Sequence, residues 1–353
     1  MILSDLRIHH LRNISEAHLT LNPKFNFIYG VNGSGKTSIL EALYLLSCGH
    51  SFRSREISPI ISRGQSALTV FSRFTDNSTI SIQKSSSQPT QIKLNNQFCY
   101  STSQLAYAVP CQIFYADIFQ IIDAGPGVRR SVLDWGLFHV KHNYLSLWKD
   151  YKRVLKHRNV LLKNRSSYQN CIPWDRQLDE LATQMDVLRK EYFDELKTVF
   201  YQIINQLTSS SCTIDYYKGW DRKNTGKSLM DLLAEHYSSD LQKQYTQYGP
   251  HQADILIYSD DAKAKQILSR GQQKIILIAL KLAQGQLLNG DCLYLFDDLP
   301  AELDRNHQNK LFQYLNSNKG QYVFTCINES EFSPFLTQLN FNTFTVDSGI
   351  VTS

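Results

Sequence analysis

The seven cysteines of this 353-residue chain include no CxxC pair, and their odd number and scatter leave neither a disulfide framework nor a zinc site to read. Reduced thiols are expected. No uninterrupted apolar run approaches the roughly 20 residues that a membrane-spanning helix needs. The stretch MILSDLRIHHLRNIS lacks the apolar core of a signal peptide. A soluble, cytoplasmic protein with no membrane partner is expected. Charge of one sign is also scarce, with 37 Lys and Arg against 32 Asp and Glu. A net charge of +5 argues only weakly for a polyanionic partner, so its placement along the chain matters more. There is no internal repeat. What is present is a 42% hydrophobic content, which excludes a largely disordered chain. The length suffices for one large domain or two ordinary ones.

The chain changes texture twice. Ala17, Leu19 and Leu21 alternate with polar residues, and Phe25 to Tyr29 is a short β-prone run that stops at Gly30. From Lys36 the pattern is helical, with Ile39, Leu40, Leu43 and Leu46 on one broad face. Strands are predicted over Leu68 to Phe74, Thr79 to Lys84 and Gln91 to Leu94, with a hairpin loop at Ser85 to Pro89. A long helical stretch follows. Tyr144, Trp148, Tyr151, Leu155 and Leu162 form one stripe. After a polar break from Asn164 to Pro173, the series Leu178, Leu181, Met185, Leu188, Tyr192, Leu196, Val199 and Ile203 forms a cleaner one. Such spacing suits an antiparallel helical hairpin or short coiled coil, each arm reaching ~45 Å. The texture then returns to α/β: a helix over Gln272 to Leu288, and buried strands at Cys292 to Phe296 and Tyr322 to Cys326. The order predicts a head built from both chain ends, residues 1–118 and 246–353, with a helical lobe at 119–245 between them.

Residues Gly30, Val31, Asn32, Gly33, Ser34, Gly35, Lys36 and Thr37 fit GxxxxGK[ST], with a strand before and a helix after. Glycines let main-chain N–H groups curl round phosphates, and the helix N-terminus adds its positive end. Lys36 is expected to reach the β/γ-phosphates and to serve catalysis, with the Thr37 hydroxyl on Mg²⁺. The bland alternative, a chance Gly/Ser turn, does not account for the flanking strand and helix. A second partial match, Thr225-Gly226-Lys227-Ser228, has Asp at 221 and no leading strand. It reads as a polar loop.

The strand Cys292 to Phe296 ends in Asp297 and Asp298. A buried strand beside a phosphate loop, ending in acids, is the Walker B pattern. Asp297 would hold Mg²⁺, directly or through water, and Asp298 would orient the attacking water. The alternative is an acidic turn after a core strand, which the pairing with the phosphate loop disfavours. Leu268-Ser269-Arg270-Gly271-Gln272-Gln273-Lys274 opens an apolar-rich helix as the ABC-type signature does. A Ser hydroxyl and Gly amide at a helix start make a second anion site, which in ABC-type ATPases grips the γ-phosphate held by the other subunit. The alternative is a simple N-cap. Pro300 to Asp304 follows the acids as a D-loop does.

Together these residues resemble the RecF family, bacterial recombination mediators related to SMC heads. Further blocks carry the resemblance over nearly the whole chain: Leu11 to Ile14, Ser38 to Ala42, Gly49 to Arg53, Gly125-Pro126, Arg129-Arg130, Leu133-Asp134, Gly249 to His251 and Ala253-Asp254. It implies an α/β, ABC-type (SMC-like) P-loop ATPase head with an inserted coiled-coil-like lobe. It further implies a weak ATPase that dimerises on DNA when ATP is bound. The implied role is single-strand gap repair and the DNA damage response with RecR and RecO, ahead of RecA loading. The DNA would be duplex or a single-/double-strand junction. Two features depart from the general ABC pattern: no switch histidine ends Val323 to Cys326, and the second acid is Asp298 rather than Glu. Both argue against fast hydrolysis. Gln112 sits where a Q-loop glutamine would reach Mg²⁺, the alternative being a surface glutamine.

Lys141, Lys149, Lys152, Arg153, Lys156, Arg158, Lys163 and Arg165 crowd one helical stretch opposed only by Asp150. The functional reading, centred on Lys149, Lys152, Arg153, Lys156 and Arg158, is sequence-independent phosphate neutralisation. The bland reading is a solvated helix face. Arg53, Arg55 and Arg63 follow the phosphate-loop helix and would meet DNA, nucleotide or a partner subunit. A transporter nucleotide-binding subunit is the main competitor, disfavoured by the long basic lobe between Lys36 and Ser269. A GTPase switch is disfavoured by the lack of an [NT]KxD motif.

Overall fold

The computed structural model describes residues 2–116, 125–259, 262–263, 268–332 and 339–352. In chain order the strands are β1 (Leu3–Leu11), β2 (Ile14–Thr20), β3 (Phe25–Tyr29), β4 (Ala67–Phe74), β5 (Thr79–Ser85), β6 (Gln91–Leu94), β7 (Gln97–Cys99) and β8 (Cys111–Phe114). They continue as β9 (Thr213–Tyr217), β10 (Asp254–Ser259), β11 (Ala262–Lys263), β12 (Leu293–Phe296), β13 (Gln321–Cys326), β14 (Phe341–Asp347) and β15 (Ile350–Thr352). The helices are α1 (Lys36–Cys48), α2 (Thr102–Ala108), α3 (Pro126–Val140), α4 (Tyr144–Lys163) and α5 (Tyr168–Leu207). After them come α6 (Leu229–Glu235), α7 (Tyr237–Lys243), α8 (Arg270–Gln286), α9 (Leu299–Glu302) and α10 (Arg305–Ser317).

Two compact units result. One comprises Met1–Phe119, Gln206–Thr208 and Leu288–Ser353, the other Gln120–Asn205 and Ser209–Leu287. The boundary expected at 118/119 lies outside the described residues. The return to the head expected at residue 246 differs from this division. Strand β10 and helix α8 belong to the second unit, because β10 pairs with β9 and α3 packs on both β10 and α8.

The first unit holds two six-stranded sheets. The antiparallel one runs β2-β1-β4-β5-β6-β7, and the mainly parallel one runs β15-β14-β3-β13-β12-β8. In the first, β4 and β5 alternate buried and partly exposed residues, as a sheet with one covered face requires. In the second, β3, β8, β12 and β13 are buried at every position, as parallel strands covered on both faces are. Helix α1 packs against strands of both sheets and is buried on nearly every side. Across the parallel sheet Phe114, Phe296, Phe324 and Phe27 stack at 4.4, 4.7 and 5.3 Å between neighbouring centroids. Each offset-stacked pair contributes about 0.5–1.5 kcal/mol beyond burial. A register slip would unstack the whole row, so the ladder holds the strand ends level.

In the second unit α4 and α5 form the expected helical hairpin, but its arms are unequal. Helix α4 has 20 residues and α5 has 40, so the arms span ~30 and ~60 Å. The polar break is shorter than its composition suggests, since α5 begins at Tyr168 and continues through Pro173. Proline there sacrifices one main-chain hydrogen bond near the helix start. Burial of Cys171 and Asp175 on either side holds that turn in place. No helix among the described residues is long and apolar enough to cross a membrane.

Candidate nucleotide-binding site

Strand β3 delivers the chain to Gly30 at the carboxyl end of the parallel sheet, and α1 begins six residues later. A Cβ on Gly30 would run into the Val346 carbonyl oxygen of β14 and lie 2.6 Å from Ser34 Oγ. Gly33 has φ +81°, a left-handed conformation that glycine tolerates without strain. The loop is braced from behind by residues distant in sequence. Ser34 O accepts from Asn13 Nδ2 at 2.8 Å and from the Gly349 N–H at 2.8 Å. Ser38 Oγ donates to Asn13 Oδ1 at 3.2 Å. Lys36 Nζ donates to the Gly30 and Val31 carbonyls at 2.6 and 3.0 Å.

The acid pair sits beneath this loop. Thr37 Oγ1 donates to Asp297, 3.0 Å from Oδ1 and 3.2 Å from Oδ2. Strand β12, which carries the acids, is not the neighbour of β3 in the sheet: β13 lies between them. That spacing leaves room at the sheet edge for Thr37 and Asp297 to meet above β13. Thr325, near the end of β13, donates from Oγ1 to Asp297 Oδ1 at 2.8 Å and accepts from the Asp298 N–H at 2.9 Å. Asp298 itself adopts a left-handed conformation, φ 52° and ψ 45°. Burial raises its carboxyl above the usual range, and the neighbouring Asp297 adds to this while Lys36 opposes it.

A cleft of about 720 Å³ opens over these groups, lined by Asn32, Gly33, Gly35, Lys36, Thr37, Ser38, Asp297 and Asp298. Arg12, Asn13, Arg53, Pro59, Ile61 and Arg63 also line it. Arg53 and Arg63 therefore face the cleft, and Arg55 is not among its lining residues. Arg12 is held rigidly. Its Nε and Nη2 grip the fully buried Glu41 at 2.8 Å each, and Nη1 donates to the Pro59 carbonyl at 2.7 Å. Ser51 Oγ also donates to Glu41.

The chemistry of this cleft fits a magnesium nucleoside triphosphate. Ser34 Oγ is buried in the phosphate loop without a hydrogen-bond partner, a polar atom that a phosphate oxygen satisfies. No cluster of three or more His, Cys, Asp or Glu suited to a metal occurs among the described residues. A cation at Thr37 and Asp297 would thus draw its other ligands from phosphates and water, as Mg²⁺ does in such sites.

Other predicted site residues fall elsewhere. Gln112 is neither at the metal position nor on the surface. It is buried inside β8, level with Tyr294, three residues and so ~10 Å short of Asp297. Ser269 N-caps α8 in a reciprocal capping box: its Oγ accepts the Gln272 N–H at 3.3 Å, and Gln272 Oε1 accepts the Ser269 N–H at 2.9 Å. Ser269, Arg270 and Gly271 are exposed. The decoy at 225–228 is a polar loop as expected, with Ser228 capping α6 and Asp221 accepting from Thr225 and Gly226.

Along α4, Lys149, Lys152, Arg153 and Lys156 are exposed at helical spacing on one face. Arg158 is not part of that face. It is fully buried, donating to Asp175 at 2.6 Å and Asp240 at 2.7 Å. Its inward position is consistent with its spacing, since Tyr144, Leu147, Tyr151, Val154, Arg158 and Leu162 form the buried stripe. His251 also has a structural place, between Tyr151 Oη at 2.6 Å and the Thr246 carbonyl at 2.9 Å. Thr325, Gly349 and Asn13 are the supporting residues that motif reading did not single out for the site.

A parallel sheet carrying GxxxxGK[ST], with the acid-bearing strand two positions away, defines an ABC-type P-loop nucleotide-binding head. The family model described as "RecF/RecN/SMC N terminal domain" matches residues 2–351. The DNA replication and repair protein RecF of Pseudomonas syringae pv. syringae (strain B728a) is 37% identical over 339 residues, 93% of this chain and 92% of that protein. That of Pseudomonas aeruginosa (strain LESB58) is 37% identical over 337 residues, covering 93% and 90%. The chain belongs to the RecF family. The solved structure of the recombination mediator protein RecF with ATP, in the RecFOR pathway, superposes with a TM-score of 0.84 at 25% identity, covering 99% of this chain and 97% of that one. An Smc head bound to the C-winged helix domain of ScpA shares the fold, with a TM-score of 0.62 at 16% identity over 100% and 96%.

Proposed function

We propose that this chain is an ATP-dependent DNA-binding recombination mediator with weak ATPase activity. The observation that carries the reading is the Thr37–Asp297 hydrogen bond beneath a glycine-bent phosphate loop. Main-chain N–H groups of Gly33, Ser34 and Gly35, the start of α1 and Lys36 would hold the phosphates. Thr37 and Asp297 would hold Mg²⁺, which when bound neutralises charge on the phosphate oxygens. Asp298 is the group to orient water. Its raised carboxyl pKa makes it a better proton acceptor than an exposed aspartate. The solved ATP-bound relative supports the choice of nucleotide.

The exposed start of α8, with Ser269 and Gly271, supports a second anion site offered to another protomer's nucleotide. ATP would then drive dimerisation. The cationic face of Lys149, Lys152, Arg153 and Lys156 supports duplex DNA binding through phosphates. RecR and RecO are the partners implied by the family, with single-strand gap repair and RecA loading as the setting. Sizing by light scattering with ATP, with ADP and without nucleotide, each with and without duplex DNA, tests the reading. A dimer only with ATP, favoured further by DNA, is expected. A monomer with saturating ATP and DNA overturns it.

A further inference from the structure

Thr325 is the penultimate residue of β13, the strand between β3 and β12. Its single hydroxyl makes two bonds at once. As donor it engages Asp297 Oδ1 at 2.8 Å; as acceptor it takes the Asp298 N–H at 2.9 Å. The side chain is fully buried, so water does not compete for either bond. The donor role fixes which way the Asp297 carboxylate turns. With Oδ1 receiving both the Thr325 and Thr37 hydroxyls, the carboxylate plane is set from two sides. The acceptor role pins the main chain at a non-glycine residue with φ 52°. That conformation is strained for a residue with a side chain and persists only when the surroundings hold it.

We propose that Thr325 is the positioning residue of the metal–nucleotide site: it orients Asp297 toward the cation held with Thr37, and fixes Asp298 in the turn that aims its carboxylate. This rests on the nucleotide-binding reading above. Groups that hydrogen-bond a metal-ligating carboxylate from behind raise metal affinity by about 10- to 100-fold. Hydroxyl chemistry, not side-chain volume, carries the effect, so valine removes it and serine keeps it.

The test measures binding of a fluorescent ATP analogue to the full chain, first in EDTA and then during Mg²⁺ titration. Wild type, Thr325→Val and Thr325→Ser are expected to bind the nucleotide alike in EDTA. The Mg²⁺ concentration at half-effect should rise at least ~10-fold in Thr325→Val and return to within about twofold of wild type in Thr325→Ser. A wild-type Mg²⁺ response in Thr325→Val overturns the proposal. So does a Thr325→Ser as defective as the valine variant, which would make the residue a packing element only. Failure of the wild type itself to bind nucleotide is a different result, and it would remove the nucleotide reading together with this one.

Discussion

Arg158 donates to Asp240 at 2.7 Å with both side chains fully withdrawn from solvent, and the same guanidinium holds Asp175 at 2.6 Å. The triad joins α4, α5 and α7, so a residue that looks like part of a basic surface is an internal tie. Removing it leaves two buried carboxylates without their cation. Arg158→Met should destabilise the protein by about 3–5 kcal/mol. Denaturant unfolding followed by circular dichroism checks this. A loss under ~1 kcal/mol would mean the triad is dispensable.

The exposed cations of α4 should behave in the opposite way. Reversing Lys152, Arg153 and Lys156 to Glu should leave the unfolding midpoint nearly unchanged, because surface ion pairs such as Arg153–Asp150 contribute little. The same change should weaken binding to all duplex sequences alike. The slope of log affinity against log salt should flatten by roughly 0.9 for each DNA phosphate that is no longer neutralised. Fluorescence anisotropy over a salt series measures both. An unchanged slope would reduce this stretch to a solvated helix face.

Two substitutions should separate nucleotide binding from dimerisation. Lys36→Met removes the ammonium that sits among the phosphate-loop carbonyls and should abolish ATP binding in calorimetry. Ser269→Arg sacrifices a helix cap costing about 1 kcal/mol, leaves the phosphate loop untouched and should still bind ATP. It should nevertheless remain monomeric with ATP in light scattering. Dimers of that variant would refute the split site.

Asp298→Asn keeps the shape of the turn and removes the proton acceptor. Binding and dimerisation should persist while turnover drops by about 10²-fold or more. Wild-type turnover in a phosphate-release assay would take Asp298 out of the chemistry.

His251 makes stability sensitive to acid. Burial pushes its pKa down from 6.5 to about 4. Between those values the unfolded chain binds a proton that the folded chain refuses. Stability should therefore be insensitive to this group above about pH 7 and fall as pH drops from about 6.5 to about 4, by up to roughly 1.4 kcal/mol per pH unit. Urea midpoints at pH 7.5, 6 and 5 check this. His251→Asn should lower stability at pH 7.5, by disturbing the Tyr151 and Thr246 bonds, yet flatten the acid decline.

The phosphate loop, the acid pair and the capping serine were legible from sequence because each is a run of neighbouring residues. Their main-chain conformation and chemistry are set within a turn or two of chain. The strands over 68–74, 79–84 and 91–94 emerged for the same reason, since alternation is local. Tertiary structure decided what adjacency cannot encode. Strand order put β13 between β3 and β12 and so brought Thr325 to both acids. Strand register sank Gln112 three residues below Asp297. Packing of α4 against its neighbours turned Arg158 inward, where two distant aspartates offset the cost of burying its charge. These outcomes depend on pairing between segments far apart in the chain, and that pairing is settled only when the whole core closes.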